Sequence, residues 1–250
     1  MKKVNKLANI YPIKNQQWYK FENYVMILAH LAKKNFYKEH SFAENSYIIM
    51  DNGAFENEEI KDLNELIELV DHLGGEGIDV DEVVIPDDVI DNDKSYNMFL
   101  KNIPLIKEHD ELNFMVVVHA DDYEELKRRI CDILRICDTF DLDNIVLGLS
   151  KLDKYSRTTE QFRGIITGCP LNIHLLGIKK DYLELLYNYP EIRSCDSSHL
   201  VHNIKNGRNT FFKEREEADI KIDLENDEID NTLIAKALLD DQDKRNKLFK

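Results

Sequence analysis

Short apolar runs alternate along this chain with longer segments whose apolar residues recur at helical spacing. The runs are rich in Val and Ile and are apolar on both faces, which is typical of strands buried in a parallel sheet. We predict six strands, at residues 47–50, 82–85, 114–118, 144–147, 172–176 and 192–195. Runs at residues 24–28 and 218–222 would complete eight strands, although residues 24–34 also fit a helix.

Amphipathic segments lie between these runs. Residues 59–72 and 123–137 each place Leu and Ile on one helical face, and residues 180–187 form a shorter pattern. Strands that alternate with helices indicate a parallel α/β sheet. Because the alternation repeats over most of the 250 residues, we predict an α/β fold, a single-domain (β/α)8 TIM-type barrel.

The chain contains no linker rich in Gly, Pro or Ser that would divide it. We therefore predict one barrel over residues 1–224. Residues 225–250 begin acidic, continue in a short helix at 231–239 and end basic. We expect this C-terminal segment to pack on the barrel or to trail from it.

Composition narrows the classes of function. The formal net charge is −15, whereas broad nucleic-acid-binding surfaces are usually basic. Binding to a nucleic acid would therefore need a local basic patch or a helper protein. The four cysteines form no CxxC pair, and the acidic run at residues 138–143 lacks the Gly and terminal Glu of a calcium loop. We predict no metal site and no cofactor.

The N-terminal residues are basic without an apolar core segment, and no run approaches the length of a membrane span. We expect a cytoplasmic protein without a membrane partner; a phage-encoded protein in its host's cytoplasm is included in that expectation.

In a barrel of this type the active site lies at the C-terminal ends of the strands. Carboxylates follow several predicted strands here, as at Asp51, Asp87 and Asp196. Such groups can act as nucleophile, base or hydrogen-bond acceptor, although Asp is also common at these positions in turns and helix caps. Their joint occurrence favours a site.

Three of the strand ends carry a resemblance to a known family. Residues 51–56 (DNGAFE) are similar to the DSGGFQ segment of tRNA-guanine transglycosylases. Residues 84–88 (VIPDD) resemble the FDE segment that holds the base in these enzymes, and residues 147–150 (LGLS) resemble their GGL segment.

Two later segments continue the resemblance. Residues 174–178 (HLLGI) are similar to the family's HLMGVG run. Asp196, followed by residues 206–209 (NGRN), resembles the nucleophile segment FDxVxPTRxGRxG. Because the five segments keep their order and rough spacing from Asp51 to Arg208, the chain resembles this superfamily of queuine and archaeosine tRNA-ribosyltransferases, in a compact phage-type or DNA 7-deazaguanine-inserting form.

The resemblance implies base exchange by a pentosyltransferase. By position, Asp196 is the nucleophile that would hold the sugar covalently, which divides one displacement into two easier ones. Asp51 is the general acid and base for the ring proton. Asp87 would accept hydrogen bonds from N1–H and the amino group of guanine, with Asp88 as the alternative if the alignment shifts by one residue.

The resemblance also implies the rest of the base pocket. His119 takes the place of a Gln that reads the base carbonyl; the other interpretation is a structural hydrogen bond at a strand end. The remaining pocket residues are Gly148 and Leu149 through their backbone amides, Leu176 and Gly177 at the pocket floor, and Phe55 beside the base.

The C-terminal part departs from the family. Members that act on tRNA carry a CxCxxC…H zinc site, but no cysteine follows Arg208 here. Ser197, Ser198 and His199 replace the family's Pro-Thr-Arg. The basic residues near the expected nucleophile, which either contact phosphates around a flipped nucleotide or form a solvated loop, are Lys205, Arg208, Lys213 and Arg215.

We therefore expect a transglycosylase that replaces guanine by a 7-deazaguanine in a nucleic acid, with DNA favoured over tRNA. Its partners would be the polymer and the free 7-deazaguanine base; a helper protein and a homodimer stay open. One alternative is a related barrel enzyme that acts on a free nucleoside or nucleotide. Another is a non-catalytic purine-binding protein.

Overall fold

A computed structural model describes residues 7–38, 41–54, 62–150, 159–177, 189–208 and 223–248. Eight parallel strands form one sheet, in which the strands from β2 to β8 follow chain order and β1 pairs with β8. Since β1 and β2 at the two edges also contact each other, the sheet is a nearly closed barrel. The strands are β1 (Leu7–Asn9), β2 (Tyr24–Leu28), β3 (Tyr47–Asp51), β4 (Glu82–Val84), β5 (Asn113–Val118), β6 (Ile145–Ser150), β7 (Asn172–Leu176) and β8 (Ile192–Ser197).

Helices alternate with these strands, which confirms the predicted (β/α)8 TIM-type fold. A 3-10 helix spans Ile13–Phe21. The α-helices of the described residues are α1 (Ala29–Lys33), α2 (Leu63–Gly75), α3 (Asn92–Glu108), α4 (Tyr123–Phe140), α5 (Thr159–Ile166), α6 (His199–Lys205) and α7 (Asn231–Leu248). Three of them begin at a carboxylate that caps the first turn: Asp62 before α2, Asp91 before α3 and Asp122 before α4.

Several predicted boundaries change. The prediction for residues 144–147 ended too early, because β6 continues to Ser150 and includes Gly148. Residues 24–34 contain a strand followed at once by a helix, so both interpretations hold in part. The predicted strand at residues 218–222 and helix at residues 180–187 lie outside the described residues. The strand that the prediction lacked is β1.

Apolar side chains fill two layers on either side of the strands. In β5, Met115 and Val117 face the barrel interior, whereas Phe114 and Val116 face the helices. This alternation follows from the two-residue period of a strand. Both faces of each strand are therefore buried, which explains why the sequence shows continuous apolar runs.

The C-terminal segment packs beside the 3-10 helix. The side-chain amide of Asn15 donates to the Ile229 carbonyl over 2.7 Å, and the indole of Trp18 donates to the Asn231 side chain over 2.7 Å. Ile234 and Ala237 of α7 are fully buried. Among the described helices, none has the length and apolar character needed to cross a lipid bilayer.

Candidate active site at the C-terminal end of the barrel

The carboxylates expected at strand ends lie at one end of the barrel, because all eight strands run parallel. Asp51 is the last residue of β3 and is half-buried. Asp87 and His119 follow β4 and β5, and Asp196 lies near the end of β8. The structure places Asp87 and His119 in one hydrogen-bonded group and Asp196 in a second.

The first group, which we call the Asp87 cluster, consists of Asn52, Asp87 and His119. The Asn52 amide donates to Asp87 Oδ1 over 2.8 Å and to the Ile85 carbonyl over 3.0 Å. His119 Nε2 lies 2.6 Å from Asp87 Oδ2, and the two side chains are only 3% and 8% exposed. An ionised carboxylate can only accept, so Nε2 carries the proton in this pair. Both oxygens of Asp87 are thereby fixed in orientation.

Asn52 was not predicted as a site residue. Its side-chain oxygen accepts from the Ala54 amide over 2.7 Å, which closes a tight turn directly after β3. Gly53, inside that turn, has a φ of 81°, a conformation that favours glycine. The segment therefore holds the Asn52 amide toward Asp87 while Asp51 remains at the end of the strand.

The Asp88 carboxylate forms its hydrogen bonds outside the Asp87 cluster. Its carboxylate accepts from the backbone amides of Ile90 and Asp91 and from Lys94 Nζ, the last over 2.6 Å. These hydrogen bonds, led by the one from Lys94, hold the pKa of Asp88 well below its usual range. Asp88 therefore organises the turn before α3, and Asp87 is the carboxylate that belongs to the cluster.

The second group, the Asp196 cluster, consists of His174, Gly177, Ser194 and Asp196. Asp196 is buried, and its Oδ1 accepts from the Gly177 amide over 3.1 Å and lies 3.1 Å from His174 Nε2. No hydrogen bond from the described residues reaches Oδ2. One oxygen of this carboxylate is thus anchored while the other is available for chemistry.

His174 and Ser194 are functional candidates that the sequence prediction missed. Both side chains are fully buried, and His174 Nδ1 lies 2.8 Å from Ser194 Oγ. The available signal was a lone His in the middle of an apolar strand, which needs a polar partner when it is buried. Its partner in β8 lies 20 residues away, so the pattern alone could not identify it.

The pocket residues expected from β6 and β7 lie near these groups. Gly148 faces the barrel interior, where an added Cβ would lie 2.9 Å from Met115 Sδ and 3.2 Å from Leu176 Cδ1. The Leu149 side chain packs in the apolar layer between the strands and the helices, so it points away from the barrel interior and only its backbone faces its neighbours in the sheet. Gly177 has a φ of 59° and carries the amide that binds Asp196.

The expected basic residues are only partly described. Lys205 forms an ion pair with Asp227 of the C-terminal segment, and Arg208 Nη1 lies 3.5 Å from the Asn203 side-chain oxygen. A phosphate at Lys205 would have to compete with that carboxylate. The remaining residues of the predicted site, Phe55, Lys213 and Arg215, lie outside the described residues.

Within the part of the chain that the structure describes, no group of three or more His, Cys, Asp or Glu side chains has a metal-binding arrangement. The chemistry that this arrangement offers is that of carboxylates and imidazoles. Searches of protein-family models and of curated proteins give no match to this chain.

Proposed function

We propose that this protein is a transglycosylase that exchanges guanine for a 7-deazaguanine in a nucleic acid. The observation that carries the proposal is Asp196, a buried carboxylate with one oxygen anchored and the other without a donor among the described residues. It lies at the same barrel end as the Asp87 cluster, which offers an oriented acceptor pair for a base. A nucleophile and a recognition group at one barrel mouth are what base exchange needs.

The chemistry would proceed in two displacements at the sugar C1′. Asp196 Oδ2 forms a bond to C1′ as the bond from C1′ to guanine N9 breaks, and Asp51 protonates the departing base. Asp51 then takes the N9 proton of the 7-deazaguanine, whose nitrogen attacks C1′ and releases the Asp196 carboxylate. The proton that Asp51 donates in the first step is thus replaced by the proton that it takes in the second.

Base recognition would rest on Asp87. Its oxygens each retain an acceptor site beside the bonds from Asn52 and His119, and these sites match the N1–H and amino donors of guanine. His119 uses Nε2 to bind Asp87, so its Nδ1 can donate to a base carbonyl only in the imidazolium form. In the neutral form Nδ1 is an acceptor, and a base with a further donor would be preferred.

DNA is the favoured polymer, because Ser197, Ser198 and His199 stand where the tRNA-guanine transglycosylases have Pro-Thr-Arg after the nucleophile. The net charge of −15 argues for a short local contact or a helper protein rather than a broad phosphate-binding face. The same charge favours a second candidate function, base exchange on a free nucleoside or nucleotide, which needs no polyanion groove.

The test is incorporation of radiolabelled guanine into DNA, into tRNA and into free nucleoside. The variants are Asp196→Asn and, as a matched control, Asp138→Asn, which removes an exposed carboxylate from α4. We expect label in DNA with the wild type and with Asp138→Asn, and none with Asp196→Asn.

Label in the nucleoside alone would establish the second candidate. Binding of guanine without any incorporation would indicate a purine-binding protein. Equal incorporation by wild type and Asp196→Asn would refute the assignment of the nucleophile.

A further inference from the structure

A column of hydrogen bonds runs inside the barrel from its N-terminal end to Asp196. Glu82, the first residue of β4, binds Arg193 through two contacts of 2.6 and 3.0 Å. Arg193 Nε donates to Ser194 Oγ over 3.2 Å. Ser194 Oγ lies 2.8 Å from His174 Nδ1, and His174 Nε2 lies 3.1 Å from Asp196 Oδ1.

An irregularity between β7 and β8 makes this column possible. Ile173 pairs with Ile192 but His174 pairs with Ser194, so Arg193 is an extra residue in β8. In a regular strand, consecutive side chains point to opposite faces, and either Arg193 or Ser194 would leave the interior. The bulge lets both side chains contribute to the column, which is a common use of bulges near active sites.

From Arg193 Nε onward the donors of the column point toward Asp196, whereas Nη1 and Nη2 of Arg193 donate back to Glu82. An ionised carboxylate can only accept, as Asp196 Oδ1 does from the Gly177 amide, so the proton between Oδ1 and His174 belongs to Nε2. With the ring proton of the neutral imidazole on Nε2, Nδ1 is an acceptor, so the Ser194 hydroxyl donates to it while Ser194 Oγ accepts from Arg193 Nε. Together the two contacts select the neutral tautomer of His174 that carries its proton on Nε2.

We propose that His174 is the positioning residue for Asp196, with Ser194 fixing its tautomer. The pair holds Oδ1 and turns Oδ2 toward the sugar. This assignment rests on the proposed function, because it gives the anchored carboxylate its role as nucleophile. The charged groups that face His174 along the column are Asp196 on one side and Arg193, neutralised by Glu82, on the other.

The first test compares guanine exchange by His174→Leu, His174→Gln and the wild type over a range of pH. Leu removes the donor to Oδ1, and a misplaced nucleophile should lower kcat by about 100-fold while KM for the base changes little. A Gln amide can still donate to Oδ1, so His174→Gln should recover at least part of the lost kcat. Ser194→Ala should have a smaller effect, about tenfold, because it frees the tautomer without removing the ring.

The second test needs no turnover and so separates this inference from the proposed function. Titration of the 13C-labelled Asp196 carboxyl by NMR should show a higher midpoint in His174→Leu than in the wild type, since a donor to a carboxylate favours its charged form. His174→Gln should return the midpoint toward the wild-type value. If His174→Leu does not fold, Ser194→Ala should show the same upward shift at smaller size.

An unchanged midpoint in folded His174→Leu, or in Ser194→Ala where His174→Leu does not fold, would overturn the positioning role. A kcat of His174→Leu within twofold of the wild type would do the same. A shifted midpoint in a protein without any exchange activity would instead leave the anchor intact and remove the proposed function.

Discussion

The buried carboxylates at the two ends of the barrel differ in how many of their oxygens receive hydrogen bonds from the described residues. At the N-terminal end, Glu82 is fully buried, and its two oxygens receive hydrogen bonds from Arg193 and from the Tyr47 hydroxyl. Asn113 donates in turn to the Tyr47 hydroxyl over 3.0 Å. At the C-terminal end, Asp196 is buried as well, but only its Oδ1 is bound by donors of the described residues.

The pKa values of Tyr47 and Arg193 at the N-terminal end reflect their contacts with Glu82. Burial, together with the Glu82 carboxylate, raises the pKa of the Tyr47 hydroxyl well above its ordinary value. Burial alone would lower the pKa of Arg193, but its hydrogen bonds and charge interaction with Glu82 raise it. Both groups therefore keep one protonation state over the physiological range, which suits a structural layer. At the C-terminal end, in contrast, none of the described residues donates to Asp196 Oδ2, which suits an atom that forms a bond to the substrate.

The largest effect on stability is expected for Glu82→Gln. Removing one partner of a buried ion pair leaves Arg193 uncompensated, and we expect the free energy of unfolding to fall by about 3–5 kcal/mol. Urea denaturation monitored by circular dichroism measures the change. The kcat of the folded fraction should fall less than in His174→Leu. The opposite order would contradict a structural role for the N-terminal end and a chemical role for the C-terminal end.

The Asp87 cluster gives the next largest effect, on base binding. Asp87→Asn replaces a charged acceptor by a neutral amide, and a hydrogen bond to a charged group is worth about 1.5–3 kcal/mol. We therefore expect KM for guanine to rise about 10- to 100-fold. Steady-state exchange measures this value, with Asp138→Asn as the control. A fall in kcat at unchanged KM would assign Asp87 to the chemical step.

A smaller effect is expected inside the barrel, between its two ends. Gly148→Ala places a Cβ against Met115 and Leu176, and overpacking should lower the free energy of unfolding by about 1–2 kcal/mol. Urea denaturation of Gly148→Ala and of the double variant Gly148→Ala/Met115→Val measures the cost. If the double variant recovers no stability, the contact with Met115 is not the cause.

The smallest effect is expected at Asp88, which lies in the turn before α3 and outside the barrel interior. Asp88→Ala removes the acceptor for the turn before α3, at a cost of about 0.5–1 kcal/mol. Because the folded-state pKa of Asp88 is lowered, its contribution is complete above the ordinary Asp pKa and is lost as the pH falls below it. The difference between variant and wild type should therefore shrink in acid, and a difference that grows there would contradict the assignment.

The barrel was predictable because strands buried on both faces leave apolar runs that a short sequence window detects. β1 escaped this pattern, since Leu7–Asn9 contains no Val or Ile and ends in a polar residue. α3 was not predicted either, because Asn92–Glu108 mixes many polar residues with Pro104.

The candidate site was predictable only where a polar side chain lies at or just after the end of an apolar run in the sequence. Asp87 and Asp196 are recognisable for that reason. The contact between His174 and Asp196 depends on the register of β7 and β8 and on the extra residue Arg193. No pattern within either strand encodes that bulge, so the positioning group emerges only from the fold.

The most direct test of Asp196 as the nucleophile is to find the atom that holds the sugar. Wild-type protein is incubated with a guanine-containing DNA oligonucleotide, quenched in acid and analysed by intact mass and peptide mapping, with Asp196→Asn and Glu82→Gln in parallel. This assignment of Asp196 predicts an adduct on the peptide that contains Asp196 in the wild type and in folded Glu82→Gln, and none in Asp196→Asn. An adduct on another carboxylate, or exchange that proceeds without any adduct, would contradict it.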